Sequence, residues 1–290
     1  MSRSTLLLAL LTTGLLGLGA AALPEPPAAP PKTMRGLIFS KTAGFRHDSI
    51  PDGIKALEEI AETTKETTCP MVFEASEDSA IFSAEQLARF DVVIFLSTTG
   101  DILNDEQQKA FESWYRNGRG FVGIHAAADT EHTWPWFGLL IGAYFKTHPP
   151  VQKATVVVED RKHQSTAMLP ERWERIDEWY VYNENPRTKK IAPVHVLANL
   201  DESTYDTGGH PMGDHPIAWC HEFDGGRSWY TGGGHTKESF SEPLFREHIR
   251  QGIAWSVKRR IEPVKAPTAP APALAPTPGP AKTSTPADRK

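Results

Sequence analysis

Residues 120 to 129, GFVGIHAAAD, place a histidine, His125, where a short apolar strand must turn sharply into a run of small residues. In a doubly wound α/β sheet, side chains at the carboxyl ends of parallel strands face the ligand crevice. A strand-to-helix elbow there lifts its apical residue clear of the packed layers. An imidazole at that apex offers a base, an acid or a metal ligand, and it argues against a covalent acyl-enzyme, which needs Ser or Cys at that point. A single histidine at such a turn can equally be a capping or hydrogen-bonded structural residue, so the weight falls on what gathers around it.

Polar groups recur where other strands should end: Arg46-His47-Asp48, Thr98-Thr99-Gly100-Asp101, Asp129 after the elbow, and Gly232-Gly233-Gly234-His235 late in the chain. Glycine-rich loops bring backbone N–H groups close to a ligand, so the last set can hold an oxyanion or set His235 beside one; it can also be an ordinary turn. His148 precedes two prolines, which hold the backbone extended and fix the ring's direction. In IDEWYVY, Asp177 and Glu178 stand beside Trp179 and Tyr180. A carboxylate against aromatic rings is desolvated, which suits a general acid or base, and aromatic faces suit a sugar ring, although aromatic residues in a strand are also common core. Asp214 and His215 enter a later strand, and His221 and Glu222 leave it.

No compact metal signature such as His-Glu-x-x-His occurs, so a metal site would have to be assembled from distant segments. No Gly-x-Gly-x-x-Gly follows the first strand and no Walker-type loop is present, which leaves nucleotide binding unsupported. The elbow lacks Ser and Cys, so neither a Ser-His-Asp hydrolase nor a working glutamine amidotransferase fits. His132, His163, His195, His210 and His248 read as surface or structural residues.

The elements that must position these groups alternate. RGLIFS at 35 to 40, MVFEAS at 71 to 76 and DVVIFLS at 91 to 97 read as strands, joined by a helix opened by Ser49 and Pro51 and by a short helix capped by Ser83 and Gln86. A helix begun at Asn104 with Gln107 covers the sheet through Ala110, Phe111, Trp114 and Tyr115, and a small-residue helix should follow His125. This βαβ order requires right-handed crossovers and a parallel sheet. In the second half ATVVVE, EWYVYN, HVLANLD, HPIAWCHEF and RSWYTG read as strands that extend the sheet in antiparallel fashion, closed by a helix bearing Phe245, Ile249 and Ile253. The expected fold class is therefore α/β, three-layer and flavodoxin-like, mostly parallel with antiparallel additions.

With 31 basic and 36 acidic side chains among 290 residues, the net charge of -5 gives no electrostatic case for nucleic acid. Residues 1–22 have the order of a cleaved secretory signal, followed by a Pro-rich linker over 23–33, a domain over 34–260 and a disordered Pro/Ala-rich tail over 261–290. The expected location is exported, periplasmic or extracellular, with a retained membrane anchor the lesser alternative. Cys69 and Cys220 allow one bridge by count, and nothing else supports it.

The blocks FSKTAGFRHDSIP, VVIFLSTTGDILNDEQQKAFESWYRNGRGFVGIHAAADTE, WPWFGLLIGAYFKTHP, DEWY, DHPIAW and GGRSWYTGGGH, in this order from about residue 36 to 257, resemble the ThuA-like family named for trehalose utilisation. The resemblance implies a class I glutamine amidotransferase-like fold without the amidotransferase nucleophile, and a place in sugar catabolism associated with 3-keto sugars. It also implies functional positions at His47, Asp48, His125, Asp129, His148, Glu178, His215 and His235, and a divalent metal held by such histidines in some members.

The leading expectation is a saccharide-processing enzyme of lyase, hydrolase or isomerase type. His125 or Glu178 would be the base, and His235 or a metal would stabilise an oxyanion. His47, Asp48, Asp129, His148, Trp179, Tyr180 and His215 would contact the sugar, and a sugar dehydrogenase or another glycan-catabolic protein would be its partner. The alternatives are a sugar-binding accessory subunit without bond cleavage and a metal-dependent hydrolase unrelated to keto-sugars.

Overall fold

The apolar run Met34–Phe39 forms β1, and the loop after it leads into α1 (Ile50–Thr64), whose buried Ile50, Leu57, Ile60 and Ala61 turn toward the sheet. The computed structural model describes residues 32–65, 67 and 69–263. The expected export signal, most of the linker and the tail beyond 263 lie outside the described residues. Chain order continues with β2 (Met71–Ser76), α2 (Ala84–Leu87), β3 (Val92–Leu96), β4 (Thr99–Gly100) and α3 (Asp105–Arg116). Then come β5 (Gly120–Ile124), β6 (Asp129–Thr130), α4 (Pro135–Ile141), β7 (Phe145–Thr147), β8 (Gln152–Val158), β9 (Arg172–Asp177) and β10 (Val181–Tyr182). The rest is β11 (His195–Asp201), β12 (Pro216–Phe223), β13 (Gly226–Thr231) and α5 (Pro243–Ser256).

Nine strands form one sheet in the order β2-β1-β3-β5-β13-β12-β11-β8-β9. The first five are parallel, and from β13 onward each neighbour is antiparallel. β3 and β5 are buried throughout, as strands covered on both faces must be. The period of two in β5 separates the faces. Phe121 meets Phe111 of α3 and Phe137 of α4, and a Cβ at Gly123 would press on Ile141, whereas Gly120 backs onto Ser256 of α5. Helices α1 and α5 touch each other on the α5 side. The result is the three-layer mixed α/β fold the sequence implies.

Local chemistry explains the boundaries. Asn104 accepts from Glu106 and Gln107 N–H groups while Gln107 answers the Asn104 N–H, a reciprocal capping box at the head of α3. Ser49 precedes α1 but does not cap it; its hydroxyl donates instead to the Gly234 carbonyl at 3.2 Å, tying the loop after β1 to the loop after β13.

Two expectations are corrected. The segment after His125 is a four-residue 3₁₀ turn, His125–Ala128, rather than a regular helix, and it runs straight into β6. EWYVYN is not a continuous strand: β9 ends at Asp177, and only Val181–Tyr182 pairs again, with β7. The strand preceding it, RWERID, carries the sheet edge instead, with Trp173, Arg175 and Asp177 buried in alternation. Cys69 and Cys220 are both free and buried. None of the helices among the described residues is long and apolar enough to cross a membrane.

Candidate functional site

His125 sits at the end of β5 with φ of 51°, a conformation uncommon for a residue with a Cβ. The strained elbow turns its buried ring toward the loops that follow β1, β9 and β13. The ring's Nδ1 lies 2.9 Å from the Gly232 carbonyl. A carbonyl only accepts, so Nδ1 carries the hydrogen, and in the neutral ring Nε2 presents a bare lone pair.

That lone pair faces three other groups. Nε2 of His47, from the loop after β1, is 3.2 Å away, Nδ1 of His235, from the loop after β13, is 3.3 Å away, and Oε2 of Glu178, just past β9, is 3.5 Å away. His235 Nδ1 lies 3.1 Å from the same Glu178 oxygen. One ligand atom from each of the four residues falls within 4.8 Å of all the others, and three of the four side chains are buried. These residues are far apart in the chain and come from four different loops.

Scaffolding holds the ring of groups in place. The buried Asp177 carboxylate accepts the backbone N–H groups of Gly234 at 2.8 Å and His235 at 3.0 Å, as well as the Ser239 hydroxyl. It also faces the buried Arg175, which pairs with Glu242. The Gly-Gly-Gly run is required by crowding: a Cβ at Gly232 would meet the Tyr182 hydroxyl at 2.5 Å, and one at Gly233 the Arg175 guanidinium at 2.5 Å. His148 Nδ1 is 2.9 Å from Glu178 Oε1 and 3.0 Å from the Pro149 carbonyl, so both oxygens of Glu178 are engaged, one by the cluster and one by His148. Tyr180 lays its ring 4.2 Å from that of His125.

The electrostatics follow from burial and proximity. Burial, reinforced by the adjacent His125 and His235 rings, pushes His47 down to about 3, so the ring is neutral near pH 7 and one of its two nitrogens carries an available lone pair. Burial alone would raise Glu178, but the adjacent His125 and His235 rings outweigh it and bring the carboxyl down to about 2. His235 is the donor to Glu178 Oε2, because His125 lies farther off and its proton is committed to Gly232. Burial lowers His235, and the Glu178 carboxylate more than reverses this, so His235 titrates above its ordinary value.

Of the ten residues expected from sequence, the structure gathers His47, His125, Glu178 and His235 into one cluster, with His148 and Tyr180 against it. Asp48 lies on the exposed rim and pairs with Lys237 at 3.1 Å. Asp129 ends the elbow turn and bonds His132. Two stand apart. Trp179 is buried with its indole N–H on the Gln152 carbonyl, so its face is unavailable to a ligand. His215 is buried between Glu202 at Nδ1 and the Tyr180 carbonyl at Nε2, each 2.8 Å away, and so supports the Tyr180 segment from behind.

Sequence reading missed Asp177 as the anchor of the His235 loop, although it singled out the Asp-Glu pair. It named Thr99 but not its role: the hydroxyl accepts the Gly44 N–H and donates to the Phe45 carbonyl, fixing the loop that carries His47.

A family model described as ThuA, trehalose utilisation, matches residues 35–256. The chain belongs to the ThuA family. A ThuA-like protein from Bacteroides uniformis is 25% identical, with a TM-score of 0.64 over 81% of this chain and 95% of its own. One from Parabacteroides merdae is 16% identical, with a TM-score of 0.60 over 85% and 95%. The fold is also shared with a β-galactosidase from Rahnella sp. R3, 11% identical with a TM-score of 0.50, of which the match covers 32%. No curated protein matches the chain. The ThuA match spans all four loops that build the cluster.

Proposed function

We propose that this ThuA protein is a carbohydrate-processing enzyme whose centre is a divalent transition metal held by His47, His125, His235 and Glu178. The observation that carries this reading is the spacing of the donor atoms. Four ligands bonded tetrahedrally at about 2.0–2.1 Å stand about 3.3 Å apart; the pairs His235–Glu178, His125–His47, His125–His235 and His125–Glu178 are separated by 3.1, 3.2, 3.3 and 3.5 Å, and His47 lies within 4.8 Å of both His235 and Glu178. The donor set, three imidazoles and one carboxylate, suits zinc-class ions and not calcium or magnesium, which prefer oxygen cages. The outer contacts are also those of ligands. His125 is oriented by a carbonyl on its far nitrogen and Glu178 by His148, the kind of second contact that fixes tautomer and direction.

A metal so held would supply Lewis-acid polarisation of a carbonyl or hydroxyl oxygen. The chain's own residues supply the rest. His148 directs its Nδ1–H at Glu178 and the Pro149 carbonyl, which leaves Nε2 as the lone pair on a partly exposed ring. On a 3-keto-glycoside the carbonyl acidifies the C2 proton. Nε2 of His148 takes that proton, the released electron pair forms an enediolate, and collapse to a C1–C2 double bond expels the C1 substituent, which receives a proton in leaving. Asp129 and Asp48 line the rim where ring hydroxyls would lie. In this reading His125 and Glu178 act as ligands, because both faces of the His125 ring edge are already committed. The sugar assignment rests on the family's description, and an exported sugar dehydrogenase would supply the keto group.

The test is turnover of a 3-keto-glucoside by the purified chain, before and after chelation and zinc restoration, with His148→Ala alongside. We expect loss on chelation, recovery with zinc, and a drop of about 10²- to 10⁴-fold in kcat for His148→Ala. Turnover indifferent to chelation refutes the metal, and binding of the sugar without product over long incubation supports an accessory sugar-binding role instead.

A further inference from the structure

Phe45 is 67% exposed, two residues before the proposed ligand His47, and the two rings form a T-shaped pair with centroids 4.9 Å apart and planes at 83°. Everything around it is fastened. The Ala43 N–H bonds the Thr99 carbonyl at 2.7 Å, and the Thr99 hydroxyl accepts from Gly44 and donates to the Phe45 carbonyl at 2.8 Å. On either side of His47 in the chain, Arg46 forms a two-point pair with Glu77, and Asp48 pairs with Lys237. An aromatic ring is thus held in solvent, on a backbone that cannot swing it into the core, at the mouth of the cluster.

The other large exposed apolar side chains among the described residues, Val72, Val151, Ile176 and Ile191, lie on other segments, and the residues that follow Phe45 include the ion-paired Arg46 and Asp48. A lone aromatic face framed by ion pairs suits a ligand with one apolar face and a polar edge better than it suits an extended apolar partner surface.

We propose that Phe45 is a substrate-binding platform on which the C–H face of a pyranose ring stacks, so that the hydroxyl edge of the ring is presented to the His47 cluster. This rests on the carbohydrate reading of the same site, and it adds a specificity determinant: ligands lacking a C–H face, such as open-chain polyols, lose this contact. The electron-rich face of the ring attracts the polarised C–H bonds of the sugar, and a preordered ring loses little entropy on binding.

Calorimetry with α,α-trehalose and methyl α-D-glucopyranoside on the full chain, as wild type and as Phe45→Ala, Phe45→Leu and Phe45→Tyr, tests it, with zinc affinity measured on the same proteins. We expect the sugar Kd to weaken by about fivefold in Phe45→Ala and Phe45→Leu, to recover in Phe45→Tyr, and zinc affinity to stay unchanged in all. Equal sugar affinity across the series, or no binding of either sugar to wild type, overturns the platform. A wild type that binds sugar with this dependence on Phe45 but takes up no zinc supports the platform and removes the metal, so the two readings fail separately.

Discussion

Two groups of histidines in this molecule are equally buried and differ in what their nitrogens face. In the antiparallel half, His248 gives Nδ1 to the Ser165 carbonyl, His163 places Nδ1 on the Ser165 hydroxyl and Nε2 near Cys220, and His221 gives Nε2 to the Leu140 carbonyl. Their polar capacity is spent on main chain, hydroxyl and thiol groups, as buried polar groups require. Over the parallel half, His47, His125 and His235 turn nitrogens toward one another and toward Glu178. Rings with lone pairs converging on one point make poor structural partners and good ligands. The number of histidines in a chain therefore says little; the acceptor or donor opposite each nitrogen says a great deal.

The sharpest way to break this contrast is to replace one member of each group. His125→Gln should lower zinc affinity by at least about a hundredfold with the fold retained by circular dichroism, whereas His248→Gln should leave zinc affinity alone and lower the melting temperature. Equal effects of both on metal would erase the distinction. Asp177→Asn comes next. It releases the Gly234 and His235 amides and weakens a buried ion pair, so it should destabilise the fold by about 3 kcal/mol and also weaken zinc binding by about tenfold. Loss of stability without loss of metal would show that Asp177 does not position His235.

Acid sensitivity separates the groups in another way. Burial holds His248 down to about 3 and His163 to about 4, against 6.5 when unfolded. The unfolded chain therefore binds protons that the folded chain refuses. Stability from these rings is fully present above pH 6.5 and is lost as pH falls toward 3, with a slope of at most about 1.4 kcal/mol per pH unit for each ring. Urea midpoints at pH 7.5 and 5 should fall for wild type and fall less for His248→Gln; an identical fall would exclude His248 as a cause. The smallest effect belongs to the rim, where Asp48→Asn should leave melting temperature and zinc affinity unchanged and raise KM for the sugar.

The parallel half was legible in the sequence because its strands are continuous apolar runs separated by capped helices, the pattern that burial on both faces enforces. The antiparallel half was less so. RWERID alternates charge with burial and hides a strand, while Glu178-Trp179-Tyr180 looks like a strand and is a buried connection. For the site, His125, His47, His235 and Glu178 were visible as chemistry-bearing residues near strand ends. His215 met the same rule, since β12 runs antiparallel and starts beside the end of β13, yet its ring is turned to Glu202 and the Tyr180 carbonyl. Asp177 and Thr99 stood among the polar groups at strand ends, but their anchoring roles were not legible because their partners are backbone groups brought near only by the fold.

The central claim, that four side chains from four loops form one metal centre, is tested most directly by titrating the metal-free chain with Co²⁺ and following its visible d–d absorption. Our account calls for saturation at one equivalent, an intense nitrogen-rich spectrum of low coordination number, displacement by zinc, and loss of the signal in His125→Gln. A featureless hexaaquo-like spectrum, or an unchanged spectrum in that variant, would contradict it.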